Sequence, residues 1–296
     1  MAKMLQRAAP WSPSRRSDRA EPHVRTLEHE DTLELCEFAA EDPVANVFIA
    51  AHVLASGTAG PTASGAEILG AFDGDGRLTA ACWLGANIVP VGMGEAAAPA
   101  FADVIRATDR RFASIFGPAG ATLALYNGLP GRHAREVRAV QPLMALEGGP
   151  SLRPDPLVRI TTLDDFHAVA PACVAMFEEE VGYSPVVGGS DNYYRRVRQL
   201  IQQGHSMARF GDDGQVLFKA ELGAVSSAVT QVQGVWVNPS HRGMGLSHGG
   251  MAAVVAFARR LAPTVSLYVN DYNYRARACY ERVGFERVGT FATVLF

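Results

Sequence analysis

Apolar and polar positions along this chain change period several times, and the changes mark out short elements. In the second half, residues 162–182 (TLDDFHAVAPACVAMFEEEVG) have helical character, with Thr162 or Asp164 able to cap the start. A second helix follows over 191–204, where Tyr194, Val197, Leu200 and Ile201 recur at helical spacing and Gly204 ends the run. SMARF, the turn GDDG and QVLFKAEL predict a hairpin, and AVTQVQGVWV a further strand. After a glycine-rich loop come the helix MAAVVAFARRLA, the β-branched strand TVSLYVN, the short helix RARACYERVGF and a closing strand, ERVGTFATVLF. The predicted order is αα–βββ–α–β–α–β.

The first half carries a fainter version of that order. EILGAF and GRLTAACWLGANIVPVG predict strands, AAAPAFADVIRATDRRF a helix and SIFGP a short strand. ATLALYNGLP predicts a short helix and VRAVQPLMALE a final strand. Between the halves lies EGGPSLRPDPLVR, residues 147–159, whose glycines and prolines can continue neither a helix nor a central strand. The expected organisation is a flexible tail (1–24), an N-terminal domain (25–147), a linker (148–158) and a C-terminal domain (159–296), the first domain being a diverged copy of the second.

Composition narrows the function classes. A length of 296 residues favours two domains. The net charge of −3 gives no general attraction to nucleic acid, and no apolar run reaches the length of a membrane span. Cys36, Cys82, Cys173 and Cys279 are scattered, which suggests neither a disulfide framework nor a zinc knuckle and fits a cytoplasmic protein. The Arg- and Ser-rich start loosely resembles a transit peptide but has no apolar core, and a solvated tail is the expectation.

The segment with the most chemistry is GVWVNPSHRGMGLSHGG, residues 234–250, a strand running through a basic glycine loop into a helix. A Rossmann fingerprint fails because the third glycine position, counted from Gly243 and Gly245, is His248. A P-loop fails for want of a lysine. Two readings stay open: a glycine-eased turn without a ligand, or a pyrophosphate cradle. In the second, backbone N–H groups at a helix N-terminus meet the anion and Arg242 adds charge.

The loop does not stand alone. VWVNPSHRGMGLS (235–247), followed one strand later by NYRARACYERVGF (273–285), resembles the GNAT superfamily of acyl-CoA-dependent N-acetyltransferases. The first half, with DPVANVFIAAHVL and QPLMALEG, is similar to an uncharacterised domain found ahead of some bacterial GNAT domains. The resemblance implies an α+β fold, with a central mixed and mostly antiparallel sheet flanked by helices and a degenerate GNAT-like domain in front. It also implies transfer of an acetyl group from acetyl-CoA to a primary amine by direct attack in a ternary complex. An alternative is a non-catalytic acyl-CoA-binding module whose N-terminal half engages a protein.

By the same resemblance, the backbone of Val235, Trp236 and Val237 would receive the pantetheine arm. Arg242, Gly243, Met244, Gly245, Leu246 and Ser247 would hold the pyrophosphate, and Asn273 would seat the cosubstrate from the far side. Ser247 departs from the usual glycine or alanine. Tyr280 would be the general acid, its pKa of about 10 well matched to a departing thiolate of about 8.5.

The amine must arrive neutral, which costs a lysine about 4.6 kcal/mol at pH 7 and an α-amine about 1.4. Glu221, whose neighbours Phe218, Ala220 and Leu222 alternate with it, is the candidate general base, with its side chain expected to point out of the core. Glu178, Glu179 and Glu180 form a charge run of the kind that is usually a solvated face; near the acceptor opening of the family they would serve as a base or as selectors of a cationic acceptor.

The acceptor, whether a small molecule or a peptide, is open; nucleic acid, membrane and metal are not expected. His241 and His248 have no supporting ligands nearby, and Cys279 is expected in the core. In the first half, VGMGE (91–95) has Glu95 where a phosphate loop tolerates no negative charge and has no preceding arginine. That half is expected not to bind CoA, and instead to complete the core or shape the acceptor pocket.

Overall fold

The computed structural model describes residues 23–296 apart from Ser64, Asp109 and Gly188. The expected tail therefore lies almost wholly outside the described residues.

The N-terminal half runs β1 (His23–Thr26), α1 (Thr32–Glu41), α2 (Val47–Ser56), β2 (Glu67–Phe72), β3 (Leu78–Leu84), β4 (Asn87–Val91), α3 (Ala98–Ala107), β5 (Ser114–Pro118), α4 (Ala119–Asn127) and β6 (Glu136–Glu147). The C-terminal half repeats that succession: β7 (Arg159–Ile160), α5 (Phe166–Val181), α6 (Asp191–Gln202), β8 (Ser206–Phe210), β9 (Val216–Val225), β10 (Val229–Val237), α7 (Leu246–Ala258), β11 (Thr264–Tyr268), α8 (Tyr274–Val283) and β12 (Glu286–Leu295). The internal repeat is thus complete in element order. Sequence reading had found the first half only from Glu67 onward. It missed β1, α1 and the nearly all-apolar α2, whose pattern gives little periodic signal.

Among the described residues twelve strands form one sheet in the order β1-β2-β3-β4-β5-β12-β6-β11-β10-β9-β8-β7. Only β4/β5 and β10/β11 are parallel. The last strand of each half has crossed over: β6 pairs with β11 of the C-terminal half, and β12 pairs with β5 of the N-terminal half. The two exchanged strands lie side by side at the centre, antiparallel along most of their length.

The sheet is covered on both faces. Phe218, Ala220 and Leu222 of β9 and Val265 and Leu267 of β11 pack under α7 with Met251, Val254 and Val255. On the opposite face α5 and α6 cover β8 to β10 through Val169, Cys173, Val197 and Ile201. The segment between the halves is tied down: Asp155 donates its backbone N–H to Gly249 and its carboxylate accepts from Arg209 at 2.6 Å.

Candidate active site

Strands β10 and β11 form a fork. They pair only where Val229, Thr230 and Gln231 meet Thr264, Val265 and Ser266. Beyond Gln231, β10 continues past Val235 and Trp236 to Val237 with no strand paired on that edge. A bulge between Gln233 and Trp236 interrupts the pairing with β9, and Gly234 at its centre has a φ of 59°. The indole of Trp236 is buried against α5 and donates to Glu179 Oε1 at 3.1 Å.

The loop after β10 sorts its glycines by job. Asn238 accepts from the Ser240 N–H at 3.1 Å and closes a single 3-10 turn, Pro239–His241. Gly243 (φ 81°) and Gly245 (φ 78°) then take left-handed conformations, and a β-carbon on either would meet open space. Their conformation leads into α7, whose first turn, with Leu246 and Ser247, has no side-chain cap. Uncapped N–H groups beside glycines whose Cβ side is open suit a phosphate. Gly249 and Gly250 serve packing instead: their β-carbons would stand 3.2 Å from Asp155 and 2.8 Å from the Phe218 ring. Met244 is exposed. Arg242 donates to the Val237 carbonyl at 3.1 Å and to Glu179 Oε2 at 2.6 Å.

Across the fork, Asn273 caps α8 by accepting from the Ala276 N–H at 3.1 Å. Tyr280 lies one turn from the helix end, packed edge-on against Phe285 and buried beside Cys279 and Val283. Among the described residues its hydroxyl has no hydrogen-bond partner. Burial, then the neighbouring Cys279 and Glu180, pushes the phenol well above its usual value.

Glu221 is where the structure corrects the sequence. Its side chain alternates with Phe218, Ala220 and Leu222 as expected, but the opposite face is roofed by α5, so it is 5% exposed rather than out of the core. It accepts from Lys219 Nζ at 2.6 Å, from the Cys173 thiol at 3.2 Å and from Gln233 at 3.4 Å. Burial alone would raise this carboxyl, but Lys219 and the other donors outweigh it and hold it low. Burial would likewise lower Lys219, and Glu221 keeps it raised. Cys173 is pushed up to about 12, mainly by burial, and stays a donor.

The carboxylate that reaches the fork is Glu180, in the last turn of α5. Its Oε1 accepts from Arg138 at 2.8 Å and from Asn270, just past β11, at 2.8 Å. Its charge is felt at Tyr280 and at Tyr268. Asn270 in turn accepts from Gln141 at 2.8 Å, and Gln141 from Thr293 at 2.7 Å. Arg138, Gln141, Asn270 and Thr293 were all missed from sequence. They stand up to 152 residues from their partners, and no local pattern joins them.

At the N-terminal counterpart of the fork the two strands do not part. A β-carbon on Gly117 of β5 would lie 3.2 Å from the Pro90 carbonyl of β4, so these strands stay together past their last paired positions. A β-carbon on Gly92, at the head of VGMGE, would stand 2.4 Å from the Phe38 ring.

Residues 174–285 match the acetyltransferase (GNAT) family, and residues 66–169 match a domain of unknown function, DUF4081. No curated protein sequence matches the chain. Among solved structures, it is similar to a tandem GNAT protein from the clavulanic acid biosynthesis pathway, at 16% identity over 92% of this chain and 98% of that one, with a TM-score of 0.54. It is also similar to a GCN5-related N-acetyltransferase from Sphaerobacter thermophilus (14% identity, 93% and 95% covered, TM-score 0.57). A GNAT-family acetyltransferase from Colwellia psychrerythraea aligns at 14% identity over 93% and 99%, with a TM-score of 0.51. At such identities these structures establish the shared fold.

Proposed function

We propose, from the match of residues 174–285 to the acetyltransferase (GNAT) family, that the protein moves an acetyl group from acetyl-CoA to a primary amine by direct transfer. The observation that carries this reading is the fork itself. An unpaired strand edge, an uncapped glycine loop at the start of α7 and the unpartnered Tyr280 hydroxyl on the following helix support it. The free edge of Val235, Trp236 and Val237 takes the pantetheine amides as a strand would. Arg242 and the N–H groups of residues 243–247 take the pyrophosphate, and Asn273 holds the start of α8 in place.

In the chemical step the amine lone pair forms a C–N bond at the thioester carbonyl and the C–S bond breaks. The departing sulfur takes the Tyr280 proton, which burial keeps on the phenol at neutral pH. The ammonium proton passes to Glu180, whose second oxygen is free of protein donors among the described residues. Glu221, spent on Lys219, holds the bulge rather than acting as base. The acceptor is a small amine or a peptide amine, the N-terminal half, whose strands do not part, binds no CoA, and the setting is cytoplasmic. Among the described residues no helix is long and apolar enough to cross a membrane.

Calorimetric titration with acetyl-CoA, on wild type beside the Arg242→Glu, Gly245→Val double variant, tests the cradle. The wild type should bind stoichiometrically and the variant should not. Equal or absent binding in both would reduce the loop to a turn and remove the reading. A panel of a lysine peptide, an α-amine peptide, a polyamine and an aminoglycoside then reports the acceptor class.

A further inference from the structure

Glu180 ends α5, where the helix dipole disfavours a negative charge, and its side chain is 49% exposed. A glutamate so placed has every reason to be mobile, yet this one is fixed. Both donors to its Oε1 are themselves held. Arg138 is 8% exposed and is clamped by Glu136, through bonds of 2.8 and 3.1 Å. Its Nη2, which also donates to Glu136, takes the Glu180 main-chain carbonyl at 2.6 Å, one of the orphan acceptors of the helix end. Arg135 takes the next carbonyl, Val181, at 2.8 Å.

The second donor, Asn270, is oriented through its other end. Gln141 donates to Asn270 Oδ1, and Thr293 donates to Gln141 Oε1, which leaves Asn270 Nδ2 facing Glu180. Arg138 and Gln141 belong to β6, the strand that the N-terminal half has given to the C-terminal half, and Arg135 immediately precedes it. Packing alone would be served by Leu143, Met144 and Leu146 of the same strand.

We propose that Arg138 and Gln141 are positioning residues for acyl transfer: the exchanged strand of the N-terminal half fixes the carboxylate that receives the acceptor's proton. The inference rests on the reading of Glu180 given above. With Oε1 saturated by two held donors, the proton-accepting oxygen is Oε2, and its place in the cleft is set from β6. The N-terminal half is then a working part of the active site, although its own fork is closed.

The test uses the full chain with Arg138→Met, Gln141→Leu, Arg138→Lys and Glu180→Gln, and three readouts. These are acetyl-CoA affinity by calorimetry, kcat on the amine of the panel that is turned over, and crystal structures of the variants. Arg138→Met should lower kcat about 100-fold, as expected when a reacting group is misplaced by about an ångström, and leave acetyl-CoA affinity unchanged. Its crystals should show Glu180 displaced or without density. Gln141→Leu should move in the same direction, and Arg138→Lys should restore both the position and most of the rate.

Glu180 unmoved in Arg138→Met crystals overturns the inference even if no amine is turned over. So does a parallel loss of kcat and acetyl-CoA affinity, which would mark a merely structural strand. Full activity in Glu180→Gln sinks the underlying reading instead. An inactive Glu180→Gln beside an active Arg138→Met sinks only the role of β6.

Discussion

Arg242 of the glycine loop and Glu179 of α5 are joined by a 2.6 Å ion pair at the mouth of the candidate phosphate cradle. The cation best placed for a pyrophosphate is thus already matched by a carboxylate, which also holds Trp236. Both partners are about half exposed, and such a pair is worth about 0.2–1 kcal/mol. A phosphate must displace it, so Glu179→Gln should tighten acetyl-CoA binding by up to about fivefold. It should also change the Trp236 emission before any ligand is added. Calorimetry and fluorescence on the same sample decide; weaker binding in Glu179→Gln would show that the carboxylate helps the cradle.

The Lys219–Glu221 pair sits directly beneath the bulge. A β-carbon on Gly234 would be 3.1 Å from Glu221 Oε2 and 3.2 Å from Lys219 Nζ. Removing one partner strands a buried charge, which typically costs about 3–5 kcal/mol, whereas replacing both with apolar groups is often neutral. Urea unfolding should therefore show Lys219→Met strongly destabilised and Lys219→Met, Glu221→Leu recovered to near wild type. If the pair also holds the bulge, the recovered double variant stays slow in turnover. Full turnover in that variant would make the pair a stability feature alone.

Tyr280→Phe keeps the ring packed against Phe285 and removes only the hydroxyl. General acid catalysis contributes about 10²–10⁴-fold, so turnover should fall by at least about 100-fold with acetyl-CoA affinity and thermal stability unchanged. Because burial raises the phenol, its loss should leave the neutral region of the pH–rate profile flat rather than shifted. Retained turnover would move the acid role to another donor.

Sequence reading recovered what is local. The strand–loop–helix run through Arg242, Gly243 and Gly245 is visible because a fixed backbone shape demands a fixed residue type. The alternation around Glu221 was right, but its exposure was not, because alternation says which face a side chain takes and nothing about what covers that face. Gly249 and Gly250 lie in the same glycine-rich stretch, but their neighbours, Asp155 and Phe218, are set by tertiary packing. The exchange of β6 and β12 was unreadable, since both strands have the same apolar pattern in either half. With it went Arg138 and Gln141, which have meaning only once β6 is laid beside β11.

At the start of α5, Asp165 accepts two bonds from Arg159 of β7 at 2.7 Å and closes a capping box with Thr162. The Arg159 guanidinium is the main cause that holds its carboxyl down at about 2, against an ordinary value of 3.8. A depressed folded-state pKa contributes stability above the unfolded value and loses it as pH falls through the folded one. Asp165→Asn should therefore lower the melting temperature at pH 6, with the gap to wild type closing as pH falls from about 4 to about 2. A gap independent of pH would mean that the neutral capping hydrogen bonds, and not the ion pair, carry the effect.

Strand exchange makes a claim about the halves as physical objects. Residues 159–296 alone would leave β11 without β6, and β12 without either neighbour, since both of its partners belong to the first half. Unpaired central strands with apolar faces such as Val265, Leu267 and Val294 invite aggregation. The C-terminal half expressed alone should therefore be insoluble, despite containing every residue of the recognisable family motif. Co-expression with residues 1–158 should return a soluble, one-to-one complex, because each fragment carries the strand the other lacks. A monomeric, folded 159–296 fragment that binds acetyl-CoA would show that β12 can take the place of β6. The N-terminal half would then be dispensable for the fold.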